Sequence, residues 1–311
     1  MATEARNHGG GASRWLRPLV PILAVLGASI VFLFIGSAVA VSQSSEAAPF
    51  DPLRALPYLV IGGALTYGVA VLASGEGVWR VGTREVVFMA IGAALYGVLS
   101  WATNIIPMPS VSLVSLRPGI VIPIFFGVVF GPAVGFFTGF VGNVLGDALT
   151  GWGVFPIWDL GNGLIGLVSG LAVSFRERPR LANILLGVVI AVNLLITALL
   201  LLYPETGNQL GSGAVGGAWW LPLVVVALAA GGWALLRRST ELVSAQLWGA
   251  LGVIVGCGFA AIADIWWNGY TPITALLGEF FPSAIPNLIH GLILLPILLS
   301  AWESARARSG R

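Results

Sequence analysis

Residues 117–170 read RPGIVIPIFFGVVFGPAVGFFTGFVGNVLGDALTGWGVFPIWDLGNGLIGLVSG, an apolar stretch studded with glycine in which the few polar residues gather where helices should leave a membrane. An ionisable or amide side chain is costly in hydrocarbon, so Asn143, Asp147, Asp159 and Asn162 are better explained by a ligand or a polar partner than by chance. The break at Gly131-Pro132 is decisive for the fold. Proline removes a backbone donor and blocks helix continuation, and glycine lets the chain turn tightly, so a short helix over 119–131 is expected to reverse into a second over 132–150.

Working outward, the whole chain has the same character. Of 311 residues, 57% are hydrophobic and 9% charged, with a mean hydropathy of +0.94. Several apolar runs reach the ~20 residues that a bilayer helix needs. The expectation is an all-α, polytopic membrane helical bundle. Spans are predicted at about 17–42, 57–75, 84–104, 119–131, 132–150, 158–175, 182–203, 219–236, 246–268 and 285–302, about ten in all. A transmembrane barrel would show short alternating segments, and none are present. The pieces between spans are too short to carry a soluble core. No GxxxxGK[ST] loop cradles phosphates, so any ATP must be hydrolysed by another chain. The single cysteine, Cys257, lies in an apolar run and reads as a small buried hydrophobe.

Charge supports the count of ten. With the N-terminus in the cytoplasm, the inner side receives Arg6, Arg14, Arg17, Arg80, Arg84, Arg176, Arg178, Arg180, Arg237, Arg238, Arg306, Arg308 and Arg311, leaving Arg54 and Arg117 outside. Fusing the fourth and fifth spans would scatter these residues against the positive-inside bias. Both termini are therefore expected in the cytoplasm of a multi-pass plasma-membrane protein. The first 16 residues also fit a secretory leader, but the apolar run from Leu19 to Val41 exceeds the usual length and favours an anchor that stays in the membrane. Two Arg-flanked apolar pairs, 17–42 with 57–75 and 182–203 with 219–236, hint at repetition, although their residues barely match.

Glycines 127, 131, 135 and 139 recur every four residues, with Gly142 and Gly146 beyond, a stripe along which helices can approach closely. A second small-residue stripe comprises Ala90 and Ala94, with Gly97 just beyond. Placed by depth, the polar residues fall at the outer end: Asn143 and Asp147 on the fifth span, Asp159 and Asn162 in the first turn of the sixth, Asp264 and Trp267 near the end of the ninth, and Asn287 and His290 in the first two turns of the tenth. Trp152 and Trp158 flank them. Each has a plainer reading. Asp159 can cap a helix start, the tryptophans can form an interfacial belt, His290 can be an ordinary helix histidine, and Arg117 can merely end a loop before Pro118. Those readings leave unexplained why four helices deliver amides, carboxylates, an imidazole and indoles to one leaflet. Together these groups describe a cup with aromatic walls and a few orienting polar groups.

The run from AIGAALYG through GLVSG, with FFPSAIPNLIHGLILLPILL near the end, resembles the substrate-binding S components of energy-coupling factor vitamin transporters, and within them the riboflavin-uptake branch. FGPAVGFFTG, GNVLGD and WDLGNGLIG carry the resemblance. It implies a six-helix core plus two added helical pairs: an N-terminal pair over 1–80, core over 81–178, an inserted pair over 179–240 and the rest of the core over 241–311. It implies capture of a vitamin or vitamin precursor of the riboflavin, thiamine or hydroxymethylpyrimidine type from outside, with a membrane coupling (T) subunit and two cytoplasmic ATPase subunits as partners. No enzyme activity, cofactor, metal or nucleic acid is expected. The family's AxxxA coupling motif maps onto Ala90 and Ala94, and its S components are thought to topple in the membrane. The outer-leaflet groups Asn143, Asp147, Trp152, Trp158, Asp159, Asn162, Asp264, Trp267, Asn287 and His290 are the matching substrate-binding positions.

Two other classes compete. An ion-coupled secondary transporter would load its ion on Asp147 or Asp264. An intramembrane enzyme would pair His290 with a carboxylate or Ser283, but two histidines, no Gly-x-Ser-x-Gly and no metal cluster argue against it.

Overall fold

The structure, a computed structural model, describes residues 19–72, 79, 81–175, 178–208 and 214–310. The leader-or-anchor reading of the first 16 residues, and the placement of Arg6, Arg14, Arg17, Arg80, Arg176 and Arg311, lie outside them. The helices are α1 (Leu19–Gln43), α2 (Pro52–Leu72), α3 (Thr83–Thr103), α4 (Val121–Phe130), α5 (Pro132–Thr150), α6 (Pro156–Ser169), α7 (Pro179–Leu202), α8 (Leu221–Leu236), α9 (Thr240–Trp267) and α10 (Phe281–Arg308). A 3-10 turn at Pro118–Ile120 leads into α4, and a π-helical turn at Thr274–Phe280 leads into α10. Among the described residues, nine helices are long and apolar enough to cross a membrane, with Pro118–Phe130 a shorter apolar tenth. The protein is a polytopic helical membrane bundle.

Local chemistry sets the boundaries. Gly131 sits at φ 99, a left-handed geometry open to glycine, and turns α4 into α5; Pro132 then starts the new helix. Prolines likewise open α2, α6, α7 and α8. The second span begins at Pro52, earlier than the expected 57, because the Asp51 carboxylate accepts the N–H groups of Leu53 and Arg54 and caps the helix. Pro57 falls inside the helix, one turn past its start, and leaves the Leu53 carbonyl without its ladder donor. Ser239 caps α9 in the same way, moving its start to Thr240. The tenth span also starts earlier than 285. Counted from Phe281, Asn287 still falls in the second turn, whereas His290 lies in the third.

α5 and α6 are the buried centre. α5 packs against α3, α6, α1 and α4, and α6 against α9, α5, α4 and α2. Their contact is backbone against backbone: a Cβ on Gly139 would lie 2.0 Å from the Asn162 carbonyl oxygen, and one on Gly166 would lie 2.0 Å from that of Gly135. In the absence of a hydrophobic drive between helices in lipid, such close packing holds the pair together. The predicted stripe serves two neighbours in turn. Gly135 and Gly139 meet α6, whereas Gly142 and Gly146 meet Tyr96 and Ser100 of α3. Gly97 packs into α5 against Leu145, so it does not extend the exposed face that carries Ala90 and Ala94.

The flanking helices behave differently from one another. α7 and α8 pack on each other and against α9 and α10. α1 and α2 touch each other little; α1 lies on α5 and α2 on α6.

Candidate functional site

The C-terminal ends of α1, α3, α5 and α9 and the N-terminal ends of α2, α6 and α10 gather at one end of the bundle around a cavity of about 550 Å³, within the range of small-molecule sites. Among the predicted residues, Asn143, Asp147, Trp158, Asn162, Asp264, Trp267 and Asn287 line it. Trp152, Asp159 and His290 do not line it, and each lies elsewhere for a definable reason.

Asp159 is fully buried behind the wall. One of its carboxylate oxygens accepts Asn143 Nδ2 at 2.8 Å and the other the Phe155 N–H at 3.2 Å, so it both anchors the start of α6 and orients the Asn143 amide. Trp152 stands outside the lining, its ring 6.0 Å from the Arg117 guanidinium carbon. His290 lies one turn beyond Asn287 on the longer α10, half-buried and with Nδ1 unpaired among the described residues.

Arg117 is the residue that sequence reasoning undervalued. It ion-pairs with Asp147, donates to Asn143 Oδ1, and places Nε 3.0 Å from Asn104 Oδ1. Burial works most strongly against its charge, but the Asp147 carboxylate and the Tyr96 phenol, by charge and by hydrogen bonding together, outweigh it, so its pKa is raised. Asn104 completes the bracket: its Nδ2 donates to Thr150 Oγ1 at 2.7 Å and its Oδ1 accepts Ser115 Oγ at 2.9 Å. The loop before α4 is thereby sewn to the end of α5. A buried charge is tolerated only when paired and hydrogen-bonded, and Arg117 with Asp147 meets that condition.

The opposite wall belongs to α6, α9 and α10. Asp264 is 1% exposed, and its oxygens accept Trp158 Nε1 at 2.9 Å and Asn268 Nδ2 at 2.9 Å. It meets no cation among the described residues. Asn162 accepts the Tyr96 hydroxyl at 2.6 Å and donates to Trp158 O, which fixes the amide at the cavity floor. Cys257 and Ser283 also line this side. Tyr270 donates to Val111 O, and burial first, then the Glu279 and Asp264 carboxylates, push its phenol above the ordinary value, keeping it a donor. Ser112 donates to the buried Glu279 at 2.8 Å, tying the loop to the π-helical turn.

The third wall was not anticipated. Ala48, Pro49, Phe50, Asp51 and Arg54, from the α1–α2 connection and the first turn of α2, border the cavity. The Arg54 guanidinium lies over the Trp267 ring at 4.0 Å and donates to Trp267 O at 2.6 Å. A single polar residue at an exposed helix start carries little signal, and only the long-range approach of α2 to α9 reveals the role.

Chemically, the site offers flat indole faces, fixed amides, a neutralised Arg–Asp pair and a carboxylate held by neutral donors. Among the described residues no group of three or more His, Cys, Asp or Glu could hold a metal. The arrangement can bind and orient a planar guest.

Residues 80–230 match the family described as ECF-type riboflavin transporter, S component. A UPF0397 protein of Vibrio atlanticus (strain LGP32) is 42% identical over 88 residues, covering 28% of this chain and 47% of the relative. One from Aliivibrio salmonicida (strain LFI1238) is 36% identical over 99 residues, 32% of this chain and 53% of the relative. A third, from Aliivibrio fischeri (strain MJ11), is 38% identical over 92 residues, 30% and 49%. The chain thus spans about half the length of the curated relatives it matches. No solved structure matches it.

Proposed function

We propose that this chain, whose residues 80–230 match the S-component family of ECF-type riboflavin transporters, captures a planar vitamin or vitamin precursor from outside the cell for ATP-driven import. The observation that carries this reading is the cavity of about 550 Å³ at one end of the bundle, walled by Trp158 and Trp267 and floored by Asn143 and Asn162. The indoles stack a heterocycle and the amides and carboxylates read its ring nitrogens and exocyclic groups. Riboflavin, thiamine and a hydroxymethylpyrimidine all answer this description.

In this reading the cavity faces outward and both termini are cytoplasmic. Helices α3–α6, α9 and α10 form the six-helix core, and α1–α2 and α7–α8 are additions. Asn143, Asp147, Trp158, Asn162, Asp264, Trp267 and Asn287 touch the ligand, while Trp152, Asp159 and His290 support the wall. The partners are a membrane coupling subunit and two cytoplasmic ATPase subunits. Ala90 and Ala94 lie exposed on α3 among apolar neighbours, a flat face suited to the coupling subunit.

The test is to purify the chain, identify the copurifying small molecule by mass spectrometry, and titrate it against Asn143→Ala, Asp147→Ala and Asn287→Ala. Weakened binding by correctly inserted variants supports the site, and unchanged affinity in all three removes it. One observation favours ion-coupled secondary transport instead: Asp264 is buried without a cationic partner among the described residues. Uptake by vesicles that lack the ATPase subunits would establish that alternative.

A further inference from the structure

Ala48, Pro49, Phe50, Asp51 and Arg54 lie outside the family-matched region 80–230, yet they border the cavity. Their place there is built. The Phe50 N–H donates to Ser37 Oγ at 2.8 Å, and the Phe50 ring meets Phe34 edge-on at 5.0 Å, so the connection is fastened to the end of α1. Asp51 caps α2. Arg54 then crosses to α9, where its guanidinium covers one face of the Trp267 indole at 4.0 Å and donates to that residue's carbonyl oxygen. Tyr58, one turn further along α2, packs its ring edge-on to the same indole at 5.3 Å. Trp267 is the last residue of α9, where helix ends fray and carbonyls lack partners. A side chain there keeps one orientation only if something holds it.

We propose that residues Ala48–Arg54 of the N-terminal addition form the outer wall of the ligand cavity, and that Arg54 is a positioning residue that holds the Trp267 indole as a stacking face for the bound ring. This rests on reading the cavity as the ligand site. Lysine cannot substitute for the role, because a flat fork both stacks on the indole and reaches the carbonyl, whereas an ammonium is a point charge without a plane. Capture and retention of the ligand therefore depend on helices outside the matched region.

Cys257 provides a readout that needs no ligand, since it is the only cysteine in the chain and lines the same cavity. In the ligand-free full-length chain, its labelling by a charged, membrane-impermeant methanethiosulfonate should speed up about fivefold in Arg54→Ala, in Arg54→Lys and in Trp267→Ala, with the Arg54→Ala, Trp267→Ala double variant no faster than either single one. For whichever of riboflavin, thiamine and hydroxymethylpyrimidine binds, dissociation from Arg54→Ala should be about tenfold faster, with little change in association. Equal labelling rates in wild type and all variants overturn the proposal, and altered labelling with an unchanged off-rate overturns the positioning role. If none of the three vitamins binds while labelling still responds to Arg54, the vitamin reading fails and the wall stands.

Discussion

The two ends of the α5–α6 pair are built from one pattern and do opposite work. At one end Gly135 and Gly139 of α5 and Gly166 of α6 bring backbone onto backbone, leaving no room for a side chain. At the other, Asn143 and Asp147 of α5 and Trp158 and Asn162 of α6 border the cavity. The closed end supplies rigidity by excluding atoms, and the open end spends that rigidity on holding costly polar groups at fixed spacing. A ligand site in a membrane needs both, because a buried amide or charge is useful only if its partners cannot drift.

The comparison can be broken at either end, and the closed end should yield the largest effect. Gly139→Leu places a branched chain against the Asn162 carbonyl and should cost more than about 4 kcal/mol, read as loss of monodisperse protein in detergent. Asp147→Asn strands Arg117 as an unpaired buried charge and should lower stability by about 3–5 kcal/mol along with binding. Arg117→Met combined with Asp147→Leu should recover part of that stability while binding stays lost, which would separate the pair's role in the site from its role in the fold. Ala90→Trp or Ala94→Trp, on the exposed face of α3, should abolish coupled uptake and spare ligand binding; a fully active variant contradicts the coupling-face assignment. Leu201→Ala, on the outward face of α7, should change stability by no more than about 0.5 kcal/mol and leave binding untouched.

Much of the closed end was legible in the chain. Glycine every four residues, and proline after Gly131, encode close packing and a reversal through local rules. The open end was legible by residue type and depth, since polar groups in an apolar run are rare enough to mark themselves. Its connectivity was not. Arg117 lies in a loop, and nothing in its neighbours announces that Asn104, from the end of α3, and Asp147, from the end of α5, converge on it. His290 was placed too near the end because the helix was started at Ile285, although Pro282 and the turn before it extend the helical path. Arg54 was read only as an outer charge, because its partner lies 213 residues away and such pairings are set by tertiary packing alone.

One wall of the cavity differs mechanically from the rest. α10 brings Ser283 and Asn287 to the site, yet it is entered through the π-helical turn Thr274–Phe280 and carries Pro286 between those two residues. A wide turn and a missing amide remove rungs from the hydrogen-bond ladder, so this stretch bends at lower cost than a continuous helix. Facing it, the glycine-welded α5–α6 pair gives almost nothing. A bulkier ring would be accommodated by yielding on the α10 side, and an engineer seeking to widen or narrow the range of guests should begin there.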